Sequence, residues 1–355
     1  KIKKTSHLCI LPFIELELFL QTNYLNDRSL RGQMRLVTVE QMRQIEKQGF
    51  QAGVSYETMI QTVGKKIAGK IDAESKAGSK TIVGLIGKGN NGNDTLAVLT
   101  ALSLAGWQSF ACLLSDRDAT DPYFSAFVLS NGVFFNIADE EDWDHTLQIC
   151  ESCAVILDGV YGIGFHLPLD ERSKCLFSRI NGRKVRNQLI AVDCPSGMDC
   201  DSGQTDPDCL VAAKTICIEA VKSGEVTAPA NLLVGEIECI SLDLPENLEI
   251  YQEIQREVLE PDRMKAILPK RSDGGHKGTF GNVTIVGGSD HFIGAPILAG
   301  MAAFRSGCGY VNMMTPEIVR NLTAGSFTQG IWFPQDFSSK DGIKLTDRDF
   351  KQCLL

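Results

Sequence analysis

The chain has 355 residues, of which 43% are hydrophobic and 22% charged, a balance that excludes a disordered or fibrous protein and leaves length for two domains with buried cores. A formal net charge of -9 makes the surface repel phosphate backbones, which argues against general nucleic-acid binding, although local backbone N–H groups can still hold a small anion. The 12 cysteines are scattered through hydrophobic stretches, as Cys112, Cys217 and Cys239 are, and Cys150-x-x-Cys153 has no second pair to complete a zinc site. The expectation is reduced core thiols in a cytoplasmic protein.

Residues 1–33 stand apart. Residue 1 is Lys, Glu15 and Glu17 interrupt the apolar run Leu8 to Phe13, and no small-residue cleavage site follows, which argues against a signal peptide. Met34 opens a pattern read as helical as far as Met42, so Met34 is the expected start and 1–33 an upstream, non-native segment. No stretch reaches transmembrane length. Two helices are expected between Thr38 and Ala73, with Gly53 as stop and Ser55 as cap.

Strands and helices then alternate. Thr81–Ile86 reads as a buried strand, Asp94 to Ala105 as a helix, Ser109 to Leu114 as a strand and Asp121 to Ser130 as a helix capped by its Asp. Val133 to Ile137 is an expected strand and Glu140 to Cys150 a helix. Ala154 to Leu157 and Leu189 to Val192 are strands with helical sequence between them, and Lys214 to Glu219 and Glu236 to Leu242 are closing strands. This alternation predicts an α/β fold with a parallel sheet covered on both faces. Prolines at 245, 261 and 269 mark a linker over 246–262. A second α/β unit begins beyond it, with strands at Asn282 to Val286 and Tyr310 to Met314 around a helix at Ala295 to Arg305.

Three glycine- and acid-rich segments follow strands. Gly87-Lys-Gly-Asn-Asn-Gly-Asn-Asp94 satisfies G-x-G-x-x-G, with Asp116 about where a ribose-binding acid belongs, so a dinucleotide-dependent dehydrogenase is one reading. The Asn90-Asn91 pair and Asn93-Asp94 are not needed for that task; amide carbonyls and a carboxylate at one turn suit a hydroxylated ligand or a hard cation. Leu157-Asp-Gly-Val-Tyr-Gly-Ile-Gly-Phe165 and Ala191-Val-Asp-Cys-Pro-Ser-Gly-Met-Asp199 each place an acid at the end of an apolar run. In a parallel sheet, strand C-termini share one edge, so the first loop, Asp158 and Asp193 are expected to meet there.

In this order, Gly-x-Gly-Asn-Asn-Gly-x-Asp, Asp-Gly-x-x-Gly-x-Gly and Val-Asp-x-Pro-Ser-Gly-x-Asp resemble the signature of the NAD(P)H-hydrate epimerase (YjeF N-terminal) family, with the match running over about 34–244. His276-Lys-Gly-Thr-Phe-Gly-Asn-Val-Thr-Ile-Val-Gly-Gly-Ser289, Gly294-Ala-Pro and Ala302 to Val311 resemble the start of the ADP-dependent NAD(P)H-hydrate dehydratase, and the two together resemble the fused bacterial repair enzyme. The resemblance implies a Rossmann-like three-layer epimerase domain over 34–245, then the first part of a ribokinase-like domain over 263–355.

The implied substrate is NADH or NADPH hydrated across the nicotinamide 5,6 double bond, with a hydroxyl on C6. The epimerase interconverts its R and S forms, and the dehydratase acts on the S form at the expense of ADP, with Mg2+. Carried over, substrate contacts fall on Asn90, Asn91, Gly92, Asn93 and Asp94, on Gly162, Ile163, Gly164, Phe165, His166, Leu167 and Pro168, on Asp193, and on Ala295 in the second unit. A potassium ion is implied at Asn91, Asp158 and Ser196. Asp193 is the first choice for the carboxylate that moves the proton and Asp158 the second.

The sequence departs from the family pattern at Asn93 and Thr95, where glycines are usual, and at Thr62-Val63, where Asn-Ala is usual. A catalytically silent binding module on the same fold is therefore the alternative reading, and a small-molecule kinase a remoter one. His276 and Lys277 read as loop residues. The later glycine-rich segment and Gly-Thr-Gly-Asp-type nucleotide loop of the dehydratase are absent from these 355 residues, so no dehydratase turnover is expected of them. The composition leaves a homo-oligomer open.

Overall fold

Met34–Val37, expected to open a helix, is instead a strand (β1), because its backbone groups find partners across the chain. It pairs in parallel with Val221–Lys222 (β8) and antiparallel with Glu257–Val258 (β10). Thr38 then turns the chain into a helix (α1, Val39–Gln51): its hydroxyl accepts from the Gln41 N–H while the Gln41 side chain accepts from the Thr38 N–H, a reciprocal cap. Such caps contribute about 1 kcal/mol. Gly53 follows at φ +99°, and Ser55 caps α2 (Tyr56–Glu74).

The computed structural model describes residues 34–75, 80–137, 141–183 and 188–336. They divide into one unit that ends at Ile267 and another that begins at Leu268. In the first, strand and helix alternate as β2 (Thr81–Ile86), α3 (Asn90–Leu104), β3 (Gln108–Leu113), α4 (Pro122–Leu129), β4 (Val133–Asn136), α5 (Glu141–Ser152), β5 (Val155–Gly159), α6 (Glu171–Asn181) and β6 (Leu189–Val192). β7 (Lys214–Ile218) and β9 (Glu236–Ile240) complete a seven-stranded sheet in the order β4-β3-β2-β5-β6-β7-β9. Every neighbouring pair in it is parallel.

Both faces of this sheet are covered, which is why its strands read as unbroken apolar runs. Ile82 and Ile86 pack with Met42, Ile67 and Leu99 on one face, whereas Val83 and Leu85 pack with Trp143, Leu147 and Phe177 on the other. The result is a three-layer sandwich with α1 to α4 on one side and α5 and α6 on the opposite side.

The stretch 246–262, expected to be a linker, packs onto the first unit. Leu248, Ile250 and Tyr251 are buried in its core, Tyr251 donates to Glu219 at 2.6 Å, and the Arg35 guanidinium lies 4.0 Å above the Tyr251 ring. Apolar residues in the short α7 (Glu249–Glu253) outweigh the prolines that suggested a boundary, and α8 (Pro261–Ile267) closes the unit. The second unit holds β11 (Asn282–Val286), α9 (Gly294–Arg305), β12 (Tyr310–Thr315), α10 (Glu317–Thr323) and β13 (Gly330–Pro334), its strands parallel and in chain order. Ile297, Val311, Met313 and Phe327 form its core. No helix among the described residues is long and apolar enough to cross a membrane.

The layers come closest where α3 crosses the end of β5. A Cβ added at Gly159 would lie 1.9 Å from Thr95 Oγ1 and 2.6 Å from Thr95 Cβ. Gly159→Ala should therefore cost about 1–3 kcal/mol by overpacking, or about 2–4 °C in Tm per kcal/mol. Thr95→Gly added to it should relieve the overlap, although alone it costs roughly a few tenths of a kcal/mol of helix propensity and about 1 kcal/mol for the lost hydrogen bond to Asn91 O. Thermal melting of the two single variants and the double variant measures the coupling; an additive loss would mean that the two residues do not meet.

Candidate functional site

β2 is the first strand of the sheet in chain order, yet it lies inside it, with β3 and β4 on one side and β5 on the other. The loops after β2 and β5 therefore leave in opposite directions and open a crevice, where open α/β sheets bind ligands. Gly87 follows β2, and a Cβ there would sit 1.9 Å from the Val160 carbonyl after β5. Its N–H donates to Gly159 O at 3.1 Å. Only glycine lets these loops approach so closely. The crevice continues into a cavity of about 930 Å³.

Asn90, Asn91, Asn93 and Asp94 line this cavity from the first turns of α3, which starts at Asn90 rather than Asp94 because Gly89 takes the cap position. Gly92 lies behind the lining, where a Cβ would meet Gly87 O at 2.1 Å. Asn93 is helical and not at positive φ, so its replacement of glycine carries no backbone strain. Thr95 is fully buried and donates to Asn91 O at 2.8 Å. Val63 is on the cavity wall, while Thr62 is half-buried and donates to Thr58 O.

Arg117, not singled out from the sequence, anchors the first loop. It is 5% exposed, donates to the Gly87 carbonyl and to Asn93 Oδ1, and pairs with Asp121 at 2.6 Å. Asp116, the ribose-binding acid of the dehydrogenase reading, instead accepts from Asn136 and does not line the cavity.

From the loop after β5, Gly162, Ile163, Gly164, Phe165 and His166 line the cavity; Leu167 and Pro168 do not. Ala295 is an exposed residue in the first turn of α9, in the second unit.

Beneath these loops Asn91, Asp158 and Ser196 converge. Asp158 is wholly buried at the end of β5 and accepts from Ser196 Oγ at 2.5 Å, Ser196 N–H at 2.7 Å and Val160 N–H at 3.3 Å. Burial outweighs these bonds and pushes its carboxyl up to about 6. Asn91 Nδ2 donates to Tyr161 O at 2.7 Å, and the Tyr161 N–H donates to Ser196 Oγ at 2.8 Å. Asn91 Oδ1 is buried without a partner among the described residues, an orphan acceptor that calls for a donor or a cation. One carboxylate among neutral oxygens suits a hard ion of low charge. Enclosed this way, Asp158 is not on the cavity wall.

Asp193 is on that wall, just past β6. Its backbone is at φ +68°, and Oδ1 accepts from the Ile218 N–H at 3.1 Å and from the Lys222 ammonium. Lys222 is completely buried. Burial disfavours its charge, but Asp193 and Glu225 beside it more than offset that and hold it well above its ordinary range. Glu225 is also fully buried; burial pushes it up to about 7, and its Oε1 has no partner among the described residues. Two further carboxylates face the cavity. Asp94 is raised well above its ordinary range by burial and by the charge of Asp193, and Glu46 on α1 is raised to about 7 by the same two causes. Lys222, Glu225 and Glu46 escaped the sequence reading; the only signal was an acid on the cavity-facing stripe of an amphipathic helix.

The Cys150 and Cys153 thiols are buried and form no disulfide, and burial pushes Cys153 up to about 11 and Cys150 well above its ordinary range, so neither is a poised thiolate.

Glu225 imposes a pH dependence on folding. In the unfolded chain it loses its proton near its ordinary value, but in the fold it keeps it to about 7. Its contribution to stability is therefore fully present below the unfolded value and is lost as pH rises through 7. Glu225→Gln, which can still accept from the Lys222 N–H, should make Tm fall less steeply than in the parent between acidic and mildly alkaline pH. Parallel slopes in a melting series would show that Glu225 ionises normally.

Residues 56–224 match the family model described as YjeF-related protein N-terminus. A bifunctional NAD(P)H-hydrate repair enzyme, Nnr, from Moorella thermoacetica is 27% identical over 303 residues, covering 83% of this chain and 57% of that one. The enzyme of the same name from Dictyoglomus turgidum is 29% identical over 269 residues, covering 74% and 50%. That from Vibrio cholerae is 33% identical over 178 residues, covering 50% and 35%. The chain spans about half the length of the curated relatives it matches. The crystal structure of yeast ynu0, YNL200c, superimposes with a TM-score of 0.50 at 21% identity, covering 59% of this chain and 88% of that one, a likeness of fold.

Proposed function

We propose that the first unit, in which residues 56–224 match the YjeF-related N-terminus model, epimerises hydrated NADH or NADPH at C6, interconverting the R and S forms. The observation that carries this reading is Asp193: a carboxylate paired with a buried lysine, with Oδ2 free of hydrogen bonds among the described residues, on the wall of a cavity of about 930 Å³. Names of relatives from three organisms support the substrate class. In this reading the second unit belongs to the S-specific, ADP- and Mg2+-dependent dehydration carried out by a longer chain, and the compartment is the cytoplasm.

The hydroxylated ring carbon is a hemiaminal-type centre, so its inversion requires proton movement at the hydroxyl. The start of α3 contributes amide groups and a helix N-terminus for the polar, anionic parts of the ligand. The loop from Gly162 to His166 closes over the opposite wall, and Asp193 exchanges the proton. Asn91, Asp158 and Ser196 would hold potassium, with the orphan Asn91 Oδ1 as one ligand. The ion would supply a fixed positive charge that neutralises Asp158 and stiffens the two loops.

The direct test supplies purified protein with (R)-NADHX and potassium, adds an independent S-specific dehydratase, and follows recovery of NADH absorbance. Rapid recovery is expected, with Asp193→Asn slower by about 10²- to 10⁴-fold. Recovery no faster than the spontaneous rate, from folded protein that still binds the ligand, would favour the silent binding module instead.

The cation has its own signature. Potassium chloride should raise Tm over tetramethylammonium chloride at equal ionic strength, by mass action equivalent to about 2.7 kcal/mol at a hundred times Kd. Asn91→Ala should remove the difference. Equal melting of the parent in the two salts would argue against a potassium site.

A further inference from the structure

On the reading of the first unit as an epimerase, we propose that Glu46 is a second catalytic residue, the acid that gives a proton to the C6 hydroxyl while Asp193 serves as the base. Nothing in the three glycine-rich motifs points to it, and it lies on α1, before the segment that matches the family model.

The case rests on geometry. Glu46 and Asp193 line one cavity but reach it from different elements. Asp193 is clamped by Lys222 and the Ile218 N–H, whereas Glu46 carries no hydrogen bond or ion pair among the described residues. Its position is fixed by the helix beneath it: Met42 and Ile45 on the same stripe are core residues, and Asp201 accepts from the Val39 N–H at 2.7 Å, pinning the helix start. The charges bearing on Glu46 are Asp193, Lys222 and, on its own helix, Arg43, with Asp94, Lys88 and His166 on the same cavity. Their balance with burial keeps its proton up to about pH 7. Two carboxylates with divergent environments are the usual basis for dividing acid and base roles.

In the step, the ring-nitrogen lone pair forms a C6=N1 iminium as the C6–O bond breaks. The Glu46 proton goes to the departing oxygen, which leaves as water. A water then forms the new C6–O bond on either face and yields its proton to Asp193. The enzyme ends with Glu46 ionised and Asp193 protonated, and return of that proton through solvent resets it. No oxidant or reductant is involved.

The test combines rate, pH profile and isotope. In the parent, kcat/KM for (R)-NADHX should fall as pH rises above about 7, where Glu46 loses its proton. Glu46→Gln should lower kcat by about 10²-fold or more and remove that alkaline limb, with Tm and (R)-NADHX binding retained. Glu46→Asp should keep the limb at a reduced rate. Reaction in H₂¹⁸O should place ¹⁸O at C6 of the epimerised product, beyond spontaneous exchange. The proposal is overturned if Glu46→Gln turns over like the parent with its limb intact, if the limb disappears in Asp94→Asn instead, if Glu46→Gln loses binding rather than turnover, or if the product keeps its original oxygen. A parent that epimerises with Asp193 essential and Glu46 dispensable sinks this assignment alone. A parent that does not epimerise at all sinks it together with the function on which it rests.

Discussion

The site depends on an ammonium ion with no access to water. Lys222 is fully buried, and a buried charge is tolerated only when paired and hydrogen-bonded. Its partners tie three parts of the chain together. Asp193 follows β6, Glu225 lies in the turn after β8, and the Ile218 carbonyl ends β7. β8 in turn pairs with β1, the strand that leads into α1. The ion pair thus sits where the closing strands meet the helix that brings Glu46 to the cavity. Removing one partner would leave an uncompensated charge in the interior, typically a loss of about 3–5 kcal/mol.

With that pair in place, the acidic groups acquire different characters from their surroundings alone. Asp158 is enclosed, with both oxygens satisfied by Ser196 and the Val160 N–H, so it serves as an anchor beneath the loops. Asp193 meets the Lys222 ammonium through Oδ1, while its Oδ2 carries no hydrogen bond among the described residues. Among the described residues Asp94 and Glu46 face the same cavity without a hydrogen-bond partner, and burial together with the negative charge of Asp193 favours their neutral forms. The sequence motifs present Asp94, Asp158 and Asp193 as equivalent acids and omit Glu46; the fold gives each different surroundings.

What was legible in the sequence followed from period and punctuation. The parallel sheet could be read from apolar runs such as Thr81–Ile86, and Asp121 and Ser55 could be read as caps, because both signals are local. Asp158 and Asp193 could be brought to one sheet edge because each follows a buried strand. Met34–Val37 was misread because its partners are Val221 and Val258, about two hundred residues away, and no local pattern records that pairing. The same applies to 246–262, where prolines suggested a linker but Leu248, Ile250 and Tyr251 belong to the core. Asn93 and Thr95 fit the backbone for a packing reason: α3 begins earlier than expected, so both positions are helical, and Gly159 makes room for the threonine. Lys222 was invisible as a site residue because a lysine in an apolar run gives no sign of whether it is buried.

Arg117 explains why a G-x-G-x-x-G loop need not be a dinucleotide fingerprint. In the usual fingerprint, glycines open space for a pyrophosphate and an acid after the next strand receives the ribose. Here the residue beside that acid position turns back and donates to Gly87 O and Asn93 Oδ1, with Asp121 as its counter-ion. The close approach that glycine permits is used between two backbone segments, at Gly87 against Val160 and Gly92 against Gly87, rather than toward a ligand. The polar groups on the cavity wall include the amides of Asn90 and Asn93 and the carboxylates of Asp94, Asp193 and Glu46. Beside them Tyr56, Val63, Tyr123 and Phe165 offer apolar faces on which a flat ring can lie. The glycine spacing and the apolar faces are compatible with either chemistry, and the proposed epimerisation draws on the carboxylates gathered around them.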